Sequence, residues 1–500
     1  MRYIVSREEM QKIDAYSIQK IGIPGIVLME KAALAMERVI AERFPVDQSV
    51  LIVVERGNNG GDGLALGRLL SERGYPVTIY EIGGVAKASE SYQIQAHILE
   101  GLGIPVLHAL PQGHYDIIID GIFGVGLTRE VRGIQREVIE QLNQADSYRI
   151  AVDVPSGVAS ESGQILGIAF QADMTITFGF SKIGLMLYPG AAYSGEVLVQ
   201  DIGFPELARQ AIGCSAYSYD SEDFSRLPQR KAWSNKGSYG KVLIIAGSKN
   251  MAGAACLCAE AAYRSGSGLV RVFTCEENRL ILQNQLPEAI LTTYEGAEDA
   301  LSKLSEAISW ASVIACGPGL GVNELTAGIL RQLLREAGVP LVLDADAINT
   351  LARLRREDEE TWQAMQSYEG GMILTPHLME MSRLCGRRIP EIQSDLIRTA
   401  TEMADEQHIM VLKDARTIVA DGQPAVYINT SGNHGMSVGG SGDVLTGIIC
   451  GLLACGADPA EAARLGVYCH GLAGDEAVKS CGHYGLLARD LLDGIKKILP

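Results

Sequence analysis

The sequence predicts two α/β domains in tandem, each a parallel sheet wrapped by helices. Three observations carry this expectation. Short β-branched runs alternate with helical segments along nearly the whole chain. The alternation lapses once, after Asp201-Ile202-Gly203-Phe204-Pro205, and then restarts. The 500 residues also exceed what one hydrophobic core normally holds. Charged residues at 21%, aromatics at 6% and 56 glycines mark an α/β protein with many tight turns rather than a disordered chain.

The first series of strands is expected at Val50 to Val54, Val77 to Ile82, Asp116 to Ile119, Ile150 to Val154, Met174 to Phe178 and Val197 to Val199. The stretch 206–236 then carries mixed polar residues, Pro228 and the basic pair Arg230-Lys231. It separates a first domain, 1–215, from a second, 225–500. The second series is expected at Lys241 to Ala246, Leu269 to Thr274, Val313 to Cys316, Pro340 to Asp344, Met372 to Thr375 and Ile409 to Lys413. The halves share no convincing sequence repeat.

A net charge of −17 repels nucleic acid and anionic membranes, so phosphate-bearing ligands must be held by local N–H groups and a few cations. The ten cysteines form no C-x-x-C pair, and Cys256, Cys258, Cys450 and Cys455 lie in apolar runs, as reduced thiols do; a cytoplasmic setting is expected. The opening Met1-Arg2-Tyr3-Ile4-Val5-Ser6-Arg7-Glu8-Glu9 has no apolar signal core. No stretch approaches the roughly 18 apolar residues that cross a bilayer, so neither a nucleic acid nor a membrane is an expected partner.

Two glycine-rich segments stand out. In the second domain, Gly439-Gly440-Ser441-Gly442-Asp443 opens an apolar helix. Backbone N–H groups at such a helix start face an incoming phosphate, glycines allow close approach, and Asp443 stands where it can take a hydroxyl proton. In the first, the strand Leu51 to Glu55 runs into Arg56-Gly57-Asn58-Asn59-Gly60-Gly61-Asp62-Gly63, a turn able to cradle a pyrophosphate. Neither G-x-G-x-x-G nor Walker A sequences occur, which argues against an ordinary dehydrogenase or a P-loop protein.

The second domain carries, in order, Ala246-Gly247-Ser248, Gly317-Pro318-Gly319-Leu320-Gly321, Asp344-Ala345-Asp346-Ala347-Ile348-Asn349, Leu374-Thr375-Pro376-His377, Val411-Leu412-Lys413 and the Gly439–Asp443 turn. This set resembles the dehydratase domain of the NAD(P)H-hydrate repair enzymes, in the ribokinase-like superfamily. The first domain, through Asn58-Asn59-Gly60-Gly61-Asp62, Asp120-Gly121-Ile122-Phe123-Gly124 and Val152-Asp153-Val154-Pro155-Ser156-Gly157, with Asp14 ahead of them, resembles the NAD(P)H-hydrate epimerase domain. The resemblance implies a Rossmann-like three-layer sandwich followed by a ribokinase-like one. It implies repair of damaged nicotinamide cofactors: R and S forms of NADH and NADPH hydrate (NADHX and NADPHX) are interconverted, and the S form is dehydrated at the expense of ADP.

Residue by residue, the resemblance makes Asn59, Asp120 and Ser156 ligands of K⁺. It places Asn58, Asn59, Gly60, Gly61, Asp62 and Gly124, Val125, Gly126, Leu127, Thr128, Arg129, Glu130 around the hydrate, with Asp153 as acid/base at the nicotinamide ring. In the second domain it gives Lys413, Asp414, Ala415, Arg416, Thr417, Gly439, Gly440, Ser441 and Gly442 to the nucleotide. Asp443 is the base, and Ala254, Gly319, His377 and Asp443 meet the hydrate. Mg²⁺ is expected with the nucleotide, and Asp344 and Asp346 stand either as its ligands or as a structural pair. His434 receives no role. A homo-oligomer is implied.

Two positions depart from the family pattern. His377-Leu378-Met379-Glu380 replaces His-Pro-Gly-Glu, and Lys413-Asp414 replaces Lys-Gly. Losing both Pro and Gly predicts a changed loop, and Asp414 sets a negative charge beside a phosphate-binding lysine. The alternative reading is a small-molecule alcohol kinase carrying a non-catalytic N-terminal binding domain.

Overall fold

The computed structural model describes residues 1–83 and 87–499. The chain forms two compact units, Tyr3–Tyr217 and Met1–Arg2 together with Ser218–Pro500.

In the unit Tyr3–Tyr217, seven strands lie in the order Val106–Leu107, Val77–Glu81, Val50–Val54, Ile117–Gly121, Tyr148–Val152, Met174–Phe178, Glu196–Gln200. All neighbours are parallel. Because successive side chains of a strand point to opposite faces, Val50, Ile52 and Val54 enter one core while Leu51 and Val53 enter the other. The first core is closed by helices Gly25–Arg43 and Asn58–Arg73 through Leu28, Met36, Ile40, Leu64 and Leu70. The second is closed by helix Gly133–Gln144 through Val138, Ile139 and Leu142. Each fully buried aliphatic side chain is worth about 1.5–3 kcal/mol against exposure, which is why the sheet is sandwiched rather than left open.

In the other unit the order is Ile290–Tyr294, Leu269–Cys275, Lys241–Ile245, Val313–Cys316, Leu341–Leu343, Met372–Leu374, His408–Leu412, followed by the antiparallel strands Ile418–Ala420 and Val426–Ile428. Helices Ala252–Arg264 and Ser441–Ala454 pack closely on each other, since Gly447 lets the backbone approach Cys258 O, where a Cβ would lie 2.2 Å away. A second helical group, Ala297–Trp310, Glu324–Glu336 and Asp346–Glu357, packs in sequence.

Each expected strand is present within two residues of the sequence-derived bounds. The edge strand Ile290–Tyr294 and the hairpin strands Ile418–Ala420 and Val426–Ile428 were not expected, being short or half exposed and without a strong apolar run. The stretch 206–236 is not featureless: it holds helix Glu206–Ile212 and the short 3₁₀ segment Ser221–Arg226. No helix among the described residues is long and apolar enough to cross a membrane, and all ten cysteines are free thiols.

Candidate functional sites

In both units the chemistry-bearing residues follow the carboxyl ends of parallel strands, where an open α/β sheet leaves its crevice. In Tyr3–Tyr217, Val54 leads to Asn58 and Asn59, Gly121 to Gly124–Arg129, and Val152 to Asp153 and Ser156. A cavity of about 540 Å³ is lined by Asn58, Asn59, Asp62, Gly124, Val125, Gly126, Leu127, Thr128, Arg129 and Asp153, together with Asp14 and Lys182. Gly60, Gly61 and Glu130 are not part of that lining. A Cβ on Gly60 would meet Glu55 O and one on Gly61 would meet Met29, so these glycines permit close packing of the helix start. Glu130 is exposed and paired with Arg132.

Asp120 and Ser156 are bonded directly, and Asn59 lies beside the Gly121 and Gly124 backbone that runs on from Asp120. Ser156 donates from N and Oγ to the two Asp120 carboxylate oxygens at 2.7 and 2.6 Å, and Phe123 N donates to Ser156 Oγ at 2.8 Å. The Asn59 carboxamide lies against Gly124, where a Cβ would sit 2.7 Å from its Oδ1. Asp120 is fully buried, with no ion-pair partner among the described residues. Burial pushes its carboxyl up to about 6, against the Ser156 and Ile122 hydrogen bonds. An unpaired buried carboxylate flanked by neutral oxygen donors fits a hard monovalent cation such as K⁺.

Asp153 has φ 63°, a left-handed backbone rare for a residue other than glycine, and lies at the cavity wall. Its Oδ1 accepts from Lys182 Nζ at 2.5 Å, Thr177 Oγ1 at 2.9 Å and Phe178 N at 3.2 Å. Asp62 is raised well above the usual carboxylate range by burial first, then by Asp153 and Asp14.

In the second unit, helix Ser441–Ala454 starts behind Gly440, whose φ of 95° needs glycine and whose position takes no side-chain cap. Ser441 N donates to Val438 O at 3.3 Å, which leaves the N–H groups of Gly442 and Asp443 without an intrahelical partner at the helix start. Lys413 and Asp344 meet this turn: a Cβ on Gly442 would lie 3.3 Å from Lys413 Nζ and 3.6 Å from Asp344 Oδ2. Asp344 Oδ1 accepts from Lys413 at 2.7 Å, and Oδ2 accepts from Thr446 Oγ1 at 2.9 Å. Burial alone would raise the Asp344 carboxyl, but Lys413 and the neighbouring hydroxyls outweigh it and hold it below its usual value. Lys413 is held above its usual value, because Asp344, Glu380 and Asp443 outweigh its own burial. Asp443, in the first helical turn, is pushed up to about 7 by burial first and by Asp344 next. Ala345, between Asp344 and Asp346, is strained at φ 50°.

Gly319 touches Ala254, and Leu257, one turn further along the Ala254 helix, reaches Gly440. His377 pairs its backbone with Lys413 and caps helix Leu378–Cys385, its Nδ1 accepting from Met379 N and Glu380 N while Glu380 accepts from His377 N. Leu378 and Met379 are thus ordinary first-turn residues. Lys413, Asp414, Ala415, Arg416 and Thr417 form the hairpin loop after strand His408–Leu412, with Ala415 exposed and Arg416 Nη1 donating to Thr430 O at 2.8 Å. Ser441 Oγ lies 3.2 Å from His470 Nε2, and burial pushes that imidazole down to about 4. His434 stacks on His483. Among the described residues no group of three or more His, Cys, Asp or Glu is placed to hold a metal.

Sequence reasoning missed Lys182, Thr177, Thr446 and His470. Lys182, alone in the run Phe180-Ser181-Lys182-Ile183, was the readable signal, being a cation where the neighbours predict burial.

The fold and these sites define a ribokinase-like domain with a glycine-started helix beside a buried Lys413–Asp344 pair, preceded in the chain by a Rossmann-like domain with a cavity at its strand ends. Comparison gives the family. The NAD(P)H-hydrate dehydratase profile matches residues 242–497, and the YjeF-related protein N-terminus profile matches 25–184. A bifunctional NAD(P)H-hydrate repair enzyme of Moorella thermoacetica is 37% identical over 99% of this chain and 96% of its own length. That of Coxiella burnetii is 35% identical over 100% of both. An ADP/ATP-dependent NAD(P)H-hydrate dehydratase of Bacillus subtilis, crystallised with ATP and Mg²⁺, is 32% identical, covering 57% of this chain and 98% of its own with a TM-score of 0.50. The chain belongs to the family of bifunctional NAD(P)H-hydrate repair enzymes.

Proposed function

We propose that residues 225–500 dehydrate the S form of NADH or NADPH hydrate with ADP as phosphoryl donor, and that residues 1–215 interconvert the R and S forms. Asp443 carries the first half of this reading: a carboxyl pushed up to about 7 at an anion-binding helix start is tuned for proton abstraction near neutral pH. Hydration leaves a hydroxyl on C6 of the nicotinamide ring, and hydroxide is a poor leaving group. Asp443 takes the hydroxyl proton as the oxygen attacks the terminal phosphorus of ADP, and AMP departs. Lys413 and the N–H groups of Gly440 and Gly442 meet the charge on the transferring group. Phosphate then leaves C6, driven by the ring nitrogen pair, and loss of a C5 proton restores the dihydronicotinamide. Magnesium, when bound with the nucleotide, neutralises phosphate charge; Asp344 is already engaged by Lys413 and Thr446, which leaves Asp346 and Asp443 as the nearby carboxylates. The Bacillus relative's ATP and Mg²⁺ support this reading.

In residues 1–215, Asp153 takes the C6 hydroxyl proton while the oxygen closes to a carbonyl and the C6–N1 bond breaks, its pair passing to N1 and the conjugated carboxamide. Rotation about C5–C6 presents the opposite face, N1 re-forms the bond, and Asp153 returns the proton. Asn59, Asp120 and Ser156 would hold K⁺, a fixed positive charge beside the Gly124–Arg129 turn. A cytoplasmic setting fits ten free thiols, and a homo-oligomer accompanies the reading.

The test supplies ADP, Mg²⁺ and K⁺ with an S/R mixture of NADH hydrate and follows near-ultraviolet absorbance and phosphate release. Complete recovery with matching phosphate is expected. A stall at the S fraction removes the epimerase half, and a stable phosphoester product replaces dehydration with the alcohol-kinase reading.

A further inference from the structure

The carboxylate of Asp153 is asymmetric. All three donors that reach it, Lys182 Nζ, Thr177 Oγ1 and Phe178 N, converge on Oδ1. Among the described residues no donor is found on Oδ2. The ammonium of Lys182 is spent in the same place: besides Asp153 it donates to Thr177 Oγ1 at 2.8 Å and to Phe178 O at 3.0 Å. With 1% exposure and its three protons engaged, Lys182 has none left to give a substrate.

The clamp is built by the neighbouring strand and by the chain start. Strand Met174–Phe178 supplies Thr177 and Phe178, and its Ile176 O accepts from Asp153 N at 2.8 Å, which holds the left-handed backbone in place. Lys182 itself lies on the short strand Ser181–Lys182, paired in parallel with the first strand of the chain through Ile4 to Ser181 and Val5 to Lys182. A buried cation costs several kcal/mol in desolvation unless its geometry is fully used, about as much as a protein domain's net stability tolerates, so a merely structural role would favour an apolar residue of similar length.

We infer that Lys182 is a positioning residue for epimerisation: with Thr177 it ties down Asp153 Oδ1 so that Oδ2 alone faces the substrate and carries the proton to and from the C6 oxygen. This rests on Asp153 being the proton-transfer group. A carboxylate released from the clamp would rotate, offering either oxygen in several poses, and would lose the fixed approach on which proton transfer depends.

The experiment measures R-to-S conversion of NADH hydrate by chromatography of the epimers, without ADP, on the full-length protein with K⁺. Lys182→Met is expected to lower kcat at least 100-fold with KM within about threefold of wild type. Thr177→Val, which removes one donor and keeps the shape, is expected to lower kcat about tenfold, again at unchanged KM, and decides the matter if Lys182→Met does not fold. Wild-type kcat in Thr177→Val and in any folded Lys182→Met protein overturns the inference, as does an effect confined to KM. Asp153→Asn separates the two layers: an active Asp153→Asn protein removes the underlying reading, whereas an inactive one beside an unimpaired Lys182→Met protein removes only the role of Lys182.

Discussion

Lys413 Nζ stands 2.7 Å from Asp344 Oδ1, while the other Asp344 oxygen is held by Thr446 from within the helix that Gly440 starts. One buried carboxylate thus joins the strand-end lysine to the helix that Gly440 starts. The cation and the N–H array are presented together because they share this anchor.

Lys413→Met removes the cation and leaves Asp344 buried and unpaired. A destabilisation of about 3 kcal/mol is expected, with the ADP KM raised at least tenfold. The pH dependence carries a sign. Asp344 is held below its usual value in the fold, so it stabilises above the unfolded carboxylate range near about pH 4 and that contribution is lost on acidification. In Lys413→Met the loss should disappear, because protonation then relieves the unpaired charge. Urea midpoints at pH 7 and about pH 3, below the unfolded carboxylate range, check this.

Asp443 must be ionised to accept a proton. Its carboxyl sits at about 7, so dehydratase kcat/KM should fall tenfold per pH unit below about 7 and level off above it. Asp443→Asn should abolish this limb and lower the rate by about 10³ while leaving epimerisation intact. A flat profile between pH 5.5 and 8 in wild type would remove Asp443 as the base.

Gly124→Ala places a methyl 2.7 Å from Asn59 Oδ1 and 3.0 Å from its Cγ. The carboxamide must move, so the KCl concentration for half-maximal epimerisation should rise at least tenfold, with dehydration unchanged. A potassium titration of both activities reads it.

Replacing K⁺ by choline should lower the melting temperature of the N-terminal unit in wild type. A ligand at 100 times its Kd adds about 2.7 kcal/mol to the native state. The Asp120→Asn protein, which lacks the buried charge, should show no such shift, and differential scanning calorimetry distinguishes the two.

Gly440→Ala forces a side chain into φ 95° and within 2.6 Å of Leu257 Cδ1. A cost of about 1–3 kcal/mol is expected, concentrated in the turn, and dehydration should fall more steeply than stability. Activity and unfolding midpoints measured on the same preparation decide it.

The sequence by itself determined the two parallel sheets, because strands such as Val50–Val54 are apolar on both faces and can only be central. It also marked Asn58–Asp62, Asp153 and the Gly439–Asp443 turn, where glycine and a carboxylate together have few structural uses. It gave no sign of the edge strand Ile290–Tyr294, whose half-exposed side chains lack a strong period. Leu378-Met379 form the first turn of a capped helix, since His377 and Glu380 close a reciprocal cap that needs neither Pro nor Gly.

Only the tertiary structure decided which charges meet. Lys182 and Asp153 are 29 residues apart, and Lys413 and Asp344 are 69 apart. Propensity and periodicity are local properties of the chain, whereas an ion pair or a tuned carboxyl depends on what packing brings within a few ångströms and on how completely water is removed there. That is why motif could single out Asp443 as a candidate base, yet its shift to about 7 belongs to the burial and the Asp344 charge that the fold places beside it.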